Sequence, residues 1–317
     1  MTDTAKADTL DLTLLLITHN EARHIERAIA NVRPIAREVV VVDSFSTDDT
    51  VERARAAGAR VLQNPFVSHA RQFNWGLDNA GITTGWVMRL DADEVLEPEL
   101  IAELRATLPA LPADVVGLNI DRKHIFMGRW IRHGGRFPLR LLRIWRLGHG
   151  RVEDRWMDEH VVISGGRTLT LKGRFADWNL NDLTFFTDKH NKYATREAIE
   201  RLNAKFGLFA RPHEEAPADL PRQAQIKRWV KQTIYNRLPF WLGPLAYVLF
   251  RLTVQLGFLD GYQGVIYHVL QGFWYRFLVG AKTVEFEREL AGCPDNAARL
   301  ARLAQLTGLP LAAAGQA

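Results

Sequence analysis

Short apolar runs that alternate with helix-period segments constrain the first third of this chain more than any other feature. Leu12–Thr18 (LTLLLIT) is an uninterrupted apolar run bounded by polar residues, the pattern of a strand buried on both faces. Residues 24–33 follow, with Ile25, Ala28, Ile29 and Val32 at helical spacing. Residues 38–43 (EVVVVD) form a second β-branched strand, and Thr47 or Asp48 can cap a helix over 51–57 that stops at Gly58. A third strand is predicted over 59–63, a helix over 69–80 and a fourth strand over 86–91 (WVMRLD). Strand and helix in strict alternation imply right-handed crossovers and a mostly parallel sheet, which binds ligands at the carboxyl ends of its strands. Those ends carry Thr18-His19-Asn20-Glu21, Asp43-Ser44 and Asp91-Ala92-Asp93-Glu94. Asp and Asn also end strands and cap helices for purely local reasons, but three such clusters at successive strand ends should share one rim.

A chain of 317 residues, 47% hydrophobic and 24% charged, has the composition of an ordinary enzyme and can bury a sizeable core. Cys293 is the single cysteine, which excludes an intramolecular disulfide and a thiolate metal cluster and fits a reducing compartment. The polar first ten residues lack the basic-then-apolar order of a signal peptide, so the expectation is a protein that is not exported. A formal charge of +5 favours anionic partners: phosphate, nucleic acid or a membrane's inner face.

In an extended segment, Asp91 and Asp93 point to one side and both carboxylates can face a single cation. Their hard oxygens suit Mg2+ or Mn2+, which leave positions open for substrate phosphate oxygens. Alone, Asp-x-Asp is a weak motif. The ordered string TLLLITHNEARHIERAI, EVVVVDSFSTDDTVERARAAGARV, ARQFNWGLDNA and GWVMRLDADEVLEPEL, spanning about residues 12–105, is stronger. It resembles the opening half of the family 2 inverting glycosyltransferases, whose A-type fold is a single nucleotide-binding α/β/α sandwich. The resemblance implies that Thr18, Asn20 and Glu21 line the nucleotide pocket, that Asp43 contacts base or ribose, and that Asp48 lies in the adjoining loop. It implies further that Arg71 and Asn74 reach the nucleotide or sugar, and that Asp91 and Asp93 are the metal pair, with Asp93 the more direct ligand. His19 departs from the smaller or cationic residue of many members.

Residues 121–151 are dense in arginine and aromatics (GRWIRHGGRFPLRLLRIWRLGHGR), suited to bidentate phosphate contacts and stacking. Nucleic-acid binding is disfavoured because nothing else resembles a nucleic-acid module; a solvated strand face, with Leu139, Leu141 and Ile144 turned inward, is the plainer alternative. The fragment resembles exopolysaccharide and lipopolysaccharide-core transferases, where this region closes over donor and acceptor; Arg132 and His133, with Gly134-Gly135, would form a close-approach loop. An inverting transfer needs a carboxylate to take the acceptor's proton. Position in the family pattern favours Glu159, with Asp158 second, just before the strand-like Val161-Val162-Ile163; the alternative is a pair of exposed loop acids. Asp177, in Asp177-Trp178-Asn179, would by the same resemblance reach metal or diphosphate, and Lys189, His190, Asn191 and Tyr193 also match, with packing an equal reading for His190.

From Arg222 to Lys282 the cations Arg222, Lys227, Arg228, Lys231, Arg237, Arg251, Arg276 and Lys282 face one acid, Asp260. Between them lie LPFWLGPLAYVLF and VIYHVLQGFWYRFLVGA, broken too often to supply the roughly 20 apolar residues of a spanning helix. Aromatics flanked by cations fit short helices in an anionic interface; packing on the catalytic domain or a homodimer contact is the alternative. The expected layout is a flexible N-terminus (1–10), a catalytic domain (11–210), a helical membrane-interface extension (211–290) and a tail (291–317). The expected activity is metal-dependent transfer from a nucleotide-sugar donor to a lipid-linked or glycan acceptor, in the cytoplasm at the inner face of the cell membrane. A sugar nucleotidyltransferase would place a glycine-rich, lysine-containing loop where THNEARH stands, and a noncatalytic membrane scaffold need not keep Asp43, Asp91, Asp93 and Glu159.

Overall fold

Strand β1 (Leu10–Thr18) pairs in parallel with β2 (Ala36–Asp43) on one side and β4 (Trp86–Arg89) on the other in this computed structural model, which describes residues 9–153, 160–209, 239–309 and 311. Leu12, Leu14 and Leu16 face one layer, packed with Ile25, Ile29 and Val32 of α1 (Ile25–Val32) and Leu100 and Leu104 of α4 (Pro98–Thr107). Leu15 faces the other, with Val40, Val42, Val87 and Phe73 of α3 (His69–Asn79). Helices on both faces explain why the strands read as continuous apolar runs rather than alternating ones. Each such buried Leu or Ile contributes about 1.5–3 kcal/mol of transfer free energy before chain entropy is counted. β3 (Arg60–Gln63) continues the parallel ladder beyond β2, after α2 (Thr50–Ala56). Gly58 makes the turn between them at φ +86; a Cβ there would meet the Arg33 guanidinium, which donates to the carbonyls of Ala57 and Gly58 at 3.0 and 3.1 Å.

The α/β class stands, and the sheet is mixed: β3, β2, β1 and β4 form a continuous parallel half, while in the second half β6 and β11 pair in parallel and the other pairs are antiparallel. The nine-stranded sheet runs β3-β2-β1-β4-β8-β6-β11-β5, with β7 (Arg129–Trp130) paired to β6. β8 (Arg140–Arg146) is antiparallel to both β4 and β6 (Val115–Phe126), and β5 (Glu94–Leu96) is antiparallel to β11 (Arg167–Trp178). The chain returns from β6 to β8 without a crossover helix, and a short return can only build an antiparallel pair. β9 (Gly150–Val152) and β10 (Val161–Ile163) form a separate antiparallel pair.

The chain divides into two compact units, 1–180 and 181–317. The division lies upstream of the boundary expected at 210, because α5 (Leu183–Phe206) belongs with the helices after it. Its Ala198, Ile199 and Leu202 share a core with Phe286 and Leu290 of α8 (Tyr275–Leu290) and with Leu300 and Leu303 of α9 (Asn296–Thr307). Asp182 caps the start of α5 by accepting from Phe185 N at 2.9 Å, and Gly207 ends it in the left-handed region. His190 is a packing residue on this helix: it bonds Phe186 O through Nδ1 at 2.8 Å and stacks on the Phe186 ring. The unit also contains α6 (Leu242–Leu252), α7 (Gly261–Tyr267) and a π-helical stretch at His268–Trp274.

Candidate active site

At the end of β1 the chain leaves through Asn20, held at φ +57, a conformation Asn tolerates better than most residues. Its side-chain Oδ1 accepts from Thr47 N at 2.8 Å, and its own N–H donates to Ser46 Oγ at 2.8 Å. Thr18 and Asp43 stand opposite each other in the β1–β2 register, and both are buried. Asp43 accepts from Thr18 Oγ1 (3.1 Å), Ser46 N (2.9 Å), Ser46 Oγ (2.5 Å) and Gln63 Nε2 (3.3 Å). Its carboxylate is therefore saturated from within and shapes the loop at 44–46 from below. Asp48 accepts from Ala22 N at 3.2 Å and from the backbone and hydroxyl of Thr50, while Thr50 Oγ1 accepts from Glu21 N at 2.8 Å. Slight burial opposes ionisation of Asp48, but these donors outweigh it and hold the carboxyl below its ordinary range.

His24 ties this first rim to the far edge of the sheet. Its ring is buried; Nε2 accepts from Leu180 N at 2.9 Å, and Nδ1 lies 2.7 Å from Glu21 Oε2. A backbone N–H can only donate, so Nε2 carries the lone pair and Nδ1 carries the proton that Glu21 accepts. Beside Leu180, Asn179 Nδ2 donates to Asp93 Oδ2 at 2.9 Å, and Arg27 donates to the carbonyls of Trp178 (2.6 Å) and Asp93 (3.3 Å). The strand-end clusters at Asn20 and Asp93 are thus joined through His24, Leu180 and Asn179.

The segment from Asp91 to Glu94 is a turn rather than an extended run: Glu94 N donates to Asp91 O at 2.9 Å, and Trp178 N donates to Asp93 O at 2.9 Å. The same-side argument for an extended pair therefore does not apply, and the turn itself sets both carboxylates. Asp91 is 44% exposed, with Arg143 Nη2 3.8 Å away. Desolvation works against its charge, but Arg143, then Arg89, His69 and Arg122, outweigh it and hold Asp91 below the usual carboxylate range. Beneath it Glu94 is buried: Oε1 accepts from Arg143 Nη2 at 2.5 Å, and Oε2 accepts from Asp91 N at 3.0 Å. Burial pushes Glu94 upward against the pull of Arg143, and Asp91 and Asp177 push the same way as burial. Asp177 on β11, opposite Glu94 of β5 and His124 of β6, contacts His124 Nδ1 at 3.0 Å and Arg122 Nη1 at 3.4 Å.

Among the described residues, no group of three or more His, Cys, Asp or Glu side chains is arranged to hold a metal. Asp91 and Asp93 offer two hard carboxylates, one of them ionised and half-exposed. That donor set fits a Mg2+ or Mn2+ ion that takes its remaining oxygens from substrate and water, and does not fit a cation caged by protein alone. Asp177 already faces two cationic or proton-donating partners, so its charge is engaged on the strand side.

The other expected site residues fall in different places. Arg71 is exposed on the first turn of α3, whose N-cap Ser68 accepts from Arg71 N at 3.1 Å. Asn74 spends its side-chain amide on the backbone of Val152, donating at 2.8 Å to the carbonyl and accepting at 3.0 Å from the N–H, so it fastens β9 to α3. Arg132 is exposed with its guanidinium over the Trp130 ring, and His133 is half-buried before the positive-φ pair Gly134 and Gly135. Glu159 and Asp158 lie outside the described residues. Sequence reasoning placed Glu94 in the third strand-end cluster without its buried role, and missed His24, Arg143 and Gln72. A cation inside the apolar run LLRIW was a usable signal for Arg143; His24 and Gln72 carried none. Gln72 is buried and donates to Ser44 Oγ at 3.0 Å and Asn64 O at 2.9 Å.

The description of glycosyl transferase family 2 matches residues 13–176, over half of the chain, and the chain belongs to that family. An uncharacterized glycosyltransferase of Rickettsia bellii is 42% identical over 96 residues, 30% of this chain and 32% of that protein. The glycosyltransferase SunS of Bacillus subtilis is 33% identical over 100 residues, 30% of this chain and 22% of its own. The match thus spans about a third of the Rickettsia relatives' length. Among solved structures, glucosyl-3-phosphoglycerate synthase of Mycobacterium tuberculosis, with Mn2+, UDP and glucosyl-3-phosphoglycerate, aligns at 27% identity and a TM-score of 0.30, covering 38% of this chain and 46% of that one.

Proposed function

We propose that the chain transfers a sugar, with inversion, from a nucleotide-sugar such as a UDP-sugar to a lipid-linked, lipopolysaccharide or exopolysaccharide acceptor, in a divalent-metal-dependent reaction. The observation that carries this reading is the Asp91–Glu94 turn: an ionised, half-exposed Asp91 with Asp93 beside it, backed by the buried Glu94–Arg143 pair and joined through Asn179 and His24 to the first loop. Asp91 and Asp93 would hold Mg2+ or Mn2+, and a cation there supplies charge neutralisation for the departing nucleoside diphosphate. Asn20, Thr47 and Ser46 form the opposite rim, on which the nucleoside would rest, with Thr18 and Asp43 fixing it from below and Glu21 and Asp48 from the side. Arg71, Arg132 and His133 are the candidates for diphosphate or acceptor contact. Glu159, with Asp158 second, remains the proposed base, because in-line displacement needs one carboxylate to accept the hydroxyl proton. The acceptor class rests on the basic, aromatic C-terminal sequence, which suits a protein peripheral on the inner membrane face.

A sugar-nucleotide panel incubated with Mn2+ and membrane extract tests this reading. Release of UDP or GDP that depends on both cation and extract supports it. Pyrophosphate release from a nucleoside triphosphate and a sugar phosphate would replace it with nucleotidyl transfer.

A further inference from the structure

Between Pro239 and Trp274 the side chains charged or chargeable near neutral pH are Arg251, Asp260 and His268, and all three are buried, at 2%, 3% and 0% exposure. The exposed face of the same stretch is apolar: Trp241, Leu249, Val254, Phe258, Leu259 and Tyr262 stand out on it, Val254 and Tyr262 at 67%. Thr253 is the exposed polar exception, and it donates its hydroxyl to Leu249 O at 2.7 Å, inside its own helix. Arg251 points inward, over the rings of Tyr247 and Tyr267 and 3.5 Å from Gln271 Oε1. Gly257 lets this interior close: a Cβ there would lie 2.6 Å from the His268 ring. Charge inside and hydrocarbon outside is the reverse of a water-facing helix pair.

We infer that α6, α7 and the π-helical stretch that ends at Trp274 form a re-entrant wedge that docks into the hydrocarbon of one bilayer leaflet without crossing the membrane. No described helix is by itself long and apolar enough to cross; Leu242–Leu252 and Gly257–Leu290 meet that test only together, bent by 70°. The 11 residues of α6 extend about 16 Å at 1.5 Å per residue, half of a hydrocarbon core of about 30 Å. Trp241 and Tyr262 supply amphipathic rings for the headgroup boundary. Charge complementarity selects a bilayer over a second copy of the chain. The sequence leading to Pro239 carries Arg222, Lys227, Arg228, Lys231 and Arg237 with no acid from 222 to 238, suited to anionic headgroups and repelled by a like copy. The inference rests on the proposed membrane-side acceptor and deepens it from surface adsorption to insertion.

Flotation of the full chain with phosphatidylcholine vesicles, and with phosphatidylcholine–phosphatidylglycerol vesicles, at low and high salt tests it. The native chain should float with both and stay bound at high salt. The triple variant Leu249→Glu, Phe258→Glu, Tyr262→Glu changes surface positions only; its partitioning should fall about tenfold or more, with UDP release in detergent-solubilised membrane extract unchanged. Binding confined to anionic vesicles and abolished by salt, or a triple variant that floats like the native chain, would overturn insertion. A lipid-free native dimer that does not float, and that the triple variant converts to monomer, would reassign the face to self-association. Absent UDP release from both proteins in that extract would defeat the transferase reading and leave the flotation result standing.

Discussion

At the scale of single residues, the site depends on charges that sequence could place only in part. Arg143 donates to the buried Glu94 and faces Asp91, so its loss leaves the Glu94 carboxyl buried without its donor, to be protonated at neutral pH at a cost in packing and hydrogen bonding. Arg143→Met should destabilise the protein by about 3–5 kcal/mol in denaturant unfolding, and Arg143→Met with Glu94→Gln should recover much of that loss. A double variant as unstable as the single one would show that the pair is not coupled. Asp91 and Asp93 were legible because a carboxylate pair ends an apolar strand. Glu94–Arg143, 49 residues apart, and His24–Leu180, 156 apart, were not, because such pairs exist only once the sheet is assembled.

Elements of the first half were legible almost to the residue. The helix expected over 69–80 is observed at His69–Asn79, and the strand expected over 38–43 at Ala36–Asp43. Burial on both faces writes itself into such strands as unbroken apolar runs. The mixed second half was not legible, since β8 and β11 mix Arg and Lys with apolar residues and their partners are fixed by pairing, not period. Asn74 illustrates the cost: a resemblance places it at the nucleotide, whereas its amide clamps β9 to α3. Asn74→Ala should speed hydrogen exchange at Val152 N–H by roughly one to two orders of magnitude, as two hydrogen bonds of about 1 kcal/mol each are lost, with donor KM little changed. A large rise in donor KM with Val152 protection intact would return Asn74 to the donor site. On the first rim, Asp43→Asn removes the charge that anchors Ser46, and should cost about 1–3 kcal/mol in stability and raise donor KM; an unchanged KM would detach that loop from donor binding.

At the scale of the whole molecule, an α/β unit and a helical unit are each built on their own core, and the basic, aromatic stretch from Arg222 marks the second unit only after its first helix has ended. A cation held by two carboxylates and substrate oxygens is not a folding element. Chelation with EDTA should therefore abolish transfer while leaving the melting temperature within about 2 °C of its starting value. A large loss of thermal stability would mean a structural metal site instead.

The most direct test of the account is a Mn2+ titration of nucleoside-diphosphate release from the preferred sugar-nucleotide, comparing the native chain with Asp93→Ala. The account predicts saturable activation of the native chain and a fall of about two orders of magnitude or more in kcat/KM for the variant, with its fold intact by circular dichroism. Equal release by both proteins, or release indifferent to the cation, would contradict it.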